Sequence, residues 1–243
     1  MTPDDLERRE FLRGAGMAAT GAAIATALPA AAGAETPSPS GATKMTYDVK
    51  PLPFDPKKLS GISEKLIVSH HDNNYAGAVK RLNAIDAEIE KLDWATAPTF
   101  TVNGLKREEL IAANSMILHE HYFDALGGKG GEPPGALGQA IAKDFGSVAR
   151  WHAEFTAMGK AEGGGSGWVI LTYSPRQKRL VNAWAADHTT TLAGGGPVLV
   201  MDMYEHAYQM DYGAKAAAYV DAFMANINWD QPAKLYGLYL GQI

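Results

Sequence analysis

Cysteine is absent from the 243 residues. Disulfides, thiolate zinc sites, iron–sulfur clusters and cysteine nucleophiles are excluded with it, so any bound metal must rely on His, Asp and Glu. The body of the chain also lacks basic clusters, and the formal net charge is −5, so no nucleic-acid partner is indicated. Long apolar runs are missing as well. Gly14 to Leu28 is an uncharged Ala/Gly run, too short and too weakly hydrophobic to span a bilayer stably. What is present is ordinary globular composition, with 46% hydrophobic and 20% charged residues and seven histidines. The length allows one large domain or two small ones.

Arg8-Arg9-Glu10-Phe11-Leu12-Arg13 precedes the Ala/Gly run, and Ala32-Gly33-Ala34 follows it as a small-x-small cleavage site. Residues 1–34 are therefore expected to be a signal peptide resembling the twin-arginine type. The mature protein would be periplasmic or otherwise exported, without membrane attachment once the signal is removed. Residues 35–46 read as a flexible tether rich in Pro, Ser and Gly.

Beyond the tether the chain is extended and proline-punctuated to Pro56. Apolar residues at 3–4 spacing then predict a helix over 63–91 and a second over 106–126, separated by a loop over 93–104. Two such helices suggest an antiparallel hairpin, here an N-terminal domain over 47–127. Gly127-Gly-Lys-Gly-Gly-Glu-Pro-Pro-Gly135 marks the expected junction. The C-terminal α+β domain, 136–243, reads as helices over 136–145 and 147–160, strands over 168–173, 179–185 and 198–203, and a helix over 212–226. The fold class is α+β: a long-helix hairpin followed by a half with a three-stranded antiparallel sheet.

One stretch carries chemistry, Pro197-Val-Leu-Val-Met-Asp202-Met-Tyr-Glu205-His206-Ala-Tyr208. Val198 to Met201 is β-branched and apolar after Gly and Pro, as in a buried strand. Asp202 would lie at its end, and a helix would start over Glu205 to Tyr212. A carboxylate and an imidazole so placed can share a Mn, Fe or Zn ion. Equally, Asp202 can cap the next helix while His206 merely packs.

At these residues the chain resembles the iron/manganese superoxide dismutases. The resemblance lies in Asp202-x-x-Glu205-His206-Ala-Tyr208, Leu52-Pro53-Phe54, Ile62-Ser63, His70-His71, Leu82-Asn83, Phe145-Gly146-Ser147, Gly165-Ser166-Gly167-Trp168 and Ile227-Asn228-Trp229, in the family's order. It implies a metal between the two halves, held by His70, His119, Asp202 and His206, with solvent in a fifth position. The ion would be Fe or Mn, one per subunit, with iron slightly favoured. Superoxide would be the substrate, and dioxygen and hydrogen peroxide the products. A homodimer is implied too, with Glu205 pairing across the interface to the partner subunit's ligating histidine and Tyr208 nearby.

Several positions depart from the family pattern. Asn74 stands where a His is usual, Ala78 where the gateway Tyr is usual, and Tyr204 where Trp is usual. His188, rather than the short Ser115, is the expected hydrogen-bonding partner of the bound solvent. Tyr75 is a candidate to bring its hydroxyl into the funnel, and His121 to relay protons. With Trp168 and Tyr208, these complete the expected catalytic set. His71 and His152 are expected at the surface or an interface. Two alternatives remain: a metal-binding relative with weak or no dismutase activity, and a three-His-one-Asp zinc hydrolase.

Overall fold

Ser63 opens the first helix of the computed structural model, which describes residues 46–241. The expected signal peptide and all but the last residue of the tether lie outside the described residues. The Ser63 hydroxyl accepts a hydrogen bond from Leu66 N, capping α1 (Glu64–Ser69). The uninterrupted helix expected over 63–91 does not form. A π-helical turn, His70–Tyr75, separates α1 from α2 (Ala76–Ile89). A π turn holds one residue more than an α turn and so shifts the phase of the side chains. His70, His71 and Tyr75 are buried as a result, and Asn74 is only half-buried.

The partner helix of the hairpin, α3 (Thr99–Asp124), starts earlier than the expected Lys106. Pro98 supplies the extended residue before it. Gly104 faces open space, where it weakens the helix without breaking it. The buried stripe of α2, Ala78, Val79, Leu82 and Ile85, belongs to the same core as Ala112, Met116 and Tyr122 of α3.

The glycine-rich junction is pinned rather than loose. Gly128 N donates to Asn226 O and Gly130 N to Ile227 O, each at 3.0 Å, while Asn228 N donates to Ala125 O at 2.8 Å. A Cβ at Gly128 would stand 2.2 Å from Ile227 O, so glycine is what allows this approach.

Two helices follow, α4 (Gly135–Phe145) and α5 (Val148–Glu162), divided by left-handed Gly146 (φ 87°) and the Ser147 cap. The sheet has the order β2-β1-β3, all antiparallel, with β1 Trp168–Ser174, β2 Arg179–Ala185 and β3 Gly196–Asp202. Every residue of central β1 is buried. The β1–β3 register puts Asp202, the last residue of β3, opposite Trp168.

After β3 the expected continuous helix from Glu205 is divided. A 3-10 turn, Glu205–Ala207, is separated from α6 (Gln209–Tyr212) at Tyr208, whose φ of −146° is not helical. Gly213 then turns the chain, so α7 (Ala216–Ala225) starts later than Tyr212. The expected tail contains another helix, α8 (Asp230–Tyr239). Among the described residues no helix is long and apolar enough to cross a membrane.

Candidate metal centre

Four side chains from four elements of the fold meet in one cluster. The π turn supplies His70, α3 supplies His119, the end of β3 supplies Asp202, and the 3-10 turn after it supplies His206. One donor atom of each lies within 4.8 Å of all the others. The Nε2 atoms of His70, His119 and His206 stand 3.1, 3.5 and 3.2 Å from the same Asp202 Oδ2. For His70 and His119 these approaches are not hydrogen bonds: both Nε2 atoms are buried without a partner.

Buried polar atoms without partners are rare, and convergent ones point to a missing common partner. Donors that share a cation at about 2.1 Å, at angles of roughly 90–120°, stand about 3.0–3.6 Å from one another. The three spacings fall in that range. The set of three imidazoles and one carboxylate suits Fe, Mn or Zn.

The electrostatics agree. Burial pushes the His119 imidazole down to about 3 and also lowers His70, so both keep their lone pairs free at neutral pH. Burial would raise Asp202, but the His206 imidazole, its Nε2 3.2 Å from Oδ2, outweighs it and holds the carboxyl below its ordinary range. The ligand geometry is braced from outside. His119 Nδ1 donates to Ser115 O at 2.6 Å, and Tyr204 N donates to Asp202 Oδ1 at 2.8 Å.

His188 lies beside this cluster, its ring 6.2 Å from that of His119. Trp168 Nε1, which can only donate, lies 3.1 Å from His188 Nδ1. Nδ1 is therefore the acceptor, and Nε2 carries the proton of the neutral ring. Tyr204 stacks on His188 at 4.7 Å and 13°, and Asn114 Nδ2 donates to His188 O. His188 lines a cavity of about 360 Å³ with Asn74, Ala78, Ala112, Ser115 and Arg81.

Other expected site residues are placed differently. Tyr75 does not line that cavity; its hydroxyl donates to Glu120 Oε1 at 3.0 Å and accepts from Lys50 N at 3.0 Å. Tyr75 follows Asn74 by one residue and so points about 100° around the helix from it. His121, two residues from His119, falls on the opposite side of α3, and its Nδ1 is buried without a partner. Tyr208 is buried, and its hydroxyl accepts from Gly164 N at 2.9 Å. Glu205 is exposed and borders a surface cavity of about 350 Å³ with Tyr208 and Gly164. His71 is buried rather than superficial, its Nε2 2.8 Å from Lys50 O, whereas His152 is exposed.

Sequence reasoning missed Tyr219. Its hydroxyl donates to Asp202 O at 2.8 Å and lies 3.2 Å from the Tyr122 hydroxyl, which can donate to it. The Tyr122 ring in turn contacts His70 at 5.1 Å. In the sequence both tyrosines look like ordinary core positions of amphipathic helices, and no local signal sets them apart.

A buried three-histidine, one-carboxylate centre between a helical hairpin and a three-stranded sheet defines a metal-dependent α+β protein. Residues 133–235 match the family of iron/manganese superoxide dismutases, C-terminal domain. A Superoxide dismutase (Fe) of Cupriavidus metallidurans is 72% identical over 189 residues, 78% of this chain and 95% of that protein. A Superoxide dismutase (Mn) 1 of Halobacterium salinarum is 34% identical, covering 78% and 94% of the two chains, and a Superoxide dismutase (Fe) of Aquifex pyrophilus is 38% identical, covering 72% and 84%. The chain belongs to the iron/manganese superoxide dismutase family.

Tyr219→Phe removes the donor to Asp202 O while keeping the ring. Loss of such an outer partner is expected to lower metal affinity about tenfold. Competition with a chelator measures it, and unchanged affinity would show that the hydroxyl does not brace the centre.

Proposed function

We propose that this chain is a superoxide dismutase, using one iron or manganese ion held by His70, His119, Asp202 and His206. The observation that carries the reading is the convergence of three Nε2 atoms on one fully buried carboxylate oxygen. Bound there, iron or manganese supplies a one-electron couple between the +3 and +2 states, so that two superoxide anions and two protons become dioxygen and hydrogen peroxide. The single carboxylate keeps total ligand charge low, which suits a site that must serve both oxidation states. Burial excludes bulk water from His70 and His119, and the Ser115 carbonyl fixes the His119 tautomer.

His188 is the protic group beside the centre. With Nδ1 occupied by the Trp168 indole, its Nε2–H is the donor left to hold solvent or a reduced oxygen species in the cavity. Asn74 and Ala78 offer no titrating proton there, a departure that favours the weakly active alternative. Metal analysis with a superoxide-consumption assay on iron- and manganese-loaded protein separates the two. Turnover is expected with one or both metals, and a fully loaded protein that consumes no superoxide sinks the reading. His188→Ala is expected to lower the rate by roughly 10²-fold, within the range for a positioned proton donor; an unchanged rate with both metals would remove His188 from the mechanism.

The functional unit is a homodimer in this reading, supported by the exposure of Glu205 directly beside His206, itself 25% exposed through its side chain. Glu205→Ala is expected to shift the protein toward monomer in sedimentation and to speed metal loss. An intact dimer would reject the Glu205 contact. Export is supported by Arg8-Arg9 and the run that follows. Replacing both arginines by lysine is expected to retain the protein inside the cell on fractionation, and normal export of that variant would exclude the twin-arginine route.

A further inference from the structure

Glu162, the last residue of α5, is the one acidic side chain in the described residues with both carboxyl oxygens buried and neither hydrogen-bonded. Its carboxyl packs on the backbone of Gly167, where a Cβ would come within 3.1 Å of both the carboxyl carbon and Oε2. Gly167 leads directly into the site: its carbonyl accepts from Met203 N at 3.0 Å, and the next residue, Trp168, pairs with Asp202.

Every element around Glu162 disfavours a negative charge on it. It sits at the C-terminal, negative end of the α5 dipole. The nearest base of its own helix, Lys160, is turned to Asp221 at 2.8 Å. Of the titratable groups on β3 and the turn after it, Asp202, Glu205 and His206, it is Asp202 that acts on Glu162, and the sign is repulsive. A carboxylate without donors is far more costly to bury than its neutral acid form.

We infer that Glu162 is held as a neutral carboxylic acid, so that a second negative charge stays off the Asp202 end of the sheet at neutral pH and appears there in alkaline solution. Burial first, and Asp202 second, push its carboxyl from 4.5 up to about 8. A cation on the four ligands offsets the Asp202 repulsion but leaves the burial and the helix end in place. Between those two values the folded chain keeps a proton that the unfolded chain has released. The fold therefore loses stability as pH rises through that window. If the superoxide reading holds, the new charge also repels an anionic substrate, and the rate falls with the same midpoint. Glu162 thus acts through the field at the centre, as a tuning residue that touches neither ligand nor substrate.

Infrared spectroscopy of the metal-loaded protein tests the charge state without an activity readout. A protonated-carboxyl carbonyl band is expected at neutral pH, lost in alkaline solution and absent from Glu162→Gln. The same variant, a neutral isostere, is expected to match the native rate at neutral pH, to lack the alkaline step in superoxide consumption, and to melt higher than the native protein in alkaline solution. Absence of the band from the native protein overturns the inference without needing the variant. So does a Glu162→Gln protein that keeps the alkaline step. A band that behaves as expected in a protein that consumes no superoxide would instead overturn the functional reading and leave the neutral acid standing.

Discussion

The whole arrangement depends on a carboxylate removed completely from water. Asp202 is 0% exposed, and an ionised group so placed must be answered by donors or by positive charge. Within the chain it receives one backbone N–H, from Tyr204, and faces three imidazoles. Burial keeps His70 and His119 neutral, so they bring lone pairs rather than charge. A neutral lone pair facing a carboxylate oxygen at little more than 3 Å is repulsive unless something positive stands between them. Only a cation satisfies all four groups together, and the surrounding fold is arranged to bring them to that point.

That requirement explains features that look like defects in isolation. The first long helix breaks its regular bonding at His70–Tyr75, where continuation as an α-helix would be locally better. The π turn buries His70 toward the cluster and His71 toward Lys50 O at once. The glycine junction, which resembles a flexible linker, instead lays its backbone against residues 224–228 and fixes the end of α3. Since α3 carries His119 and the chain beyond α7 carries the other side of that contact, the glycines hold the hairpin against the half that supplies Asp202. The Tyr122–Tyr219 pair makes the same connection at the centre itself, from His70 to the Asp202 carbonyl.

What the sequence made legible follows from the range of the physical signal. Hydrophobic period 3–4 predicts α2 and α3, and β-branched runs with turn residues predict the three strands, β2 to the residue. The π turn was not legible, because it is set by what His70 and His71 touch rather than by propensity, and neither was the pairing of the Tyr75 hydroxyl with Glu120. The four donors came together through whole-chain resemblance; spacing alone left Asp202 and His206 ambiguous. Tyr219 and Glu162 were invisible because their roles depend on neighbours that only the tertiary fold supplies, Asp202 and Gly167.

The departures at Asn74, Ala78 and Tyr204 form a pattern when taken with His188. With Asn and Ala in place of two large protic side chains, Arg81 is the charged group that the hairpin side of the cavity retains. In the proposed reading the protic group comes instead from the loop after β2, where a long side chain needs support to stay in one orientation. It receives that support from the Trp168 indole on Nδ1 and the Tyr204 ring on one face. A Trp at position 204 would present a larger ring to the same imidazole, so the smaller Tyr fits with a His at 188. A proton donor at His188, as proposed, would sit beside the strand end that carries Asp202, because Trp168, which donates to His188, pairs with that residue. His188 is thus held from both sides, by the Trp168 indole next to Asp202 and by Asn114 of α3, whose side chain donates to its carbonyl.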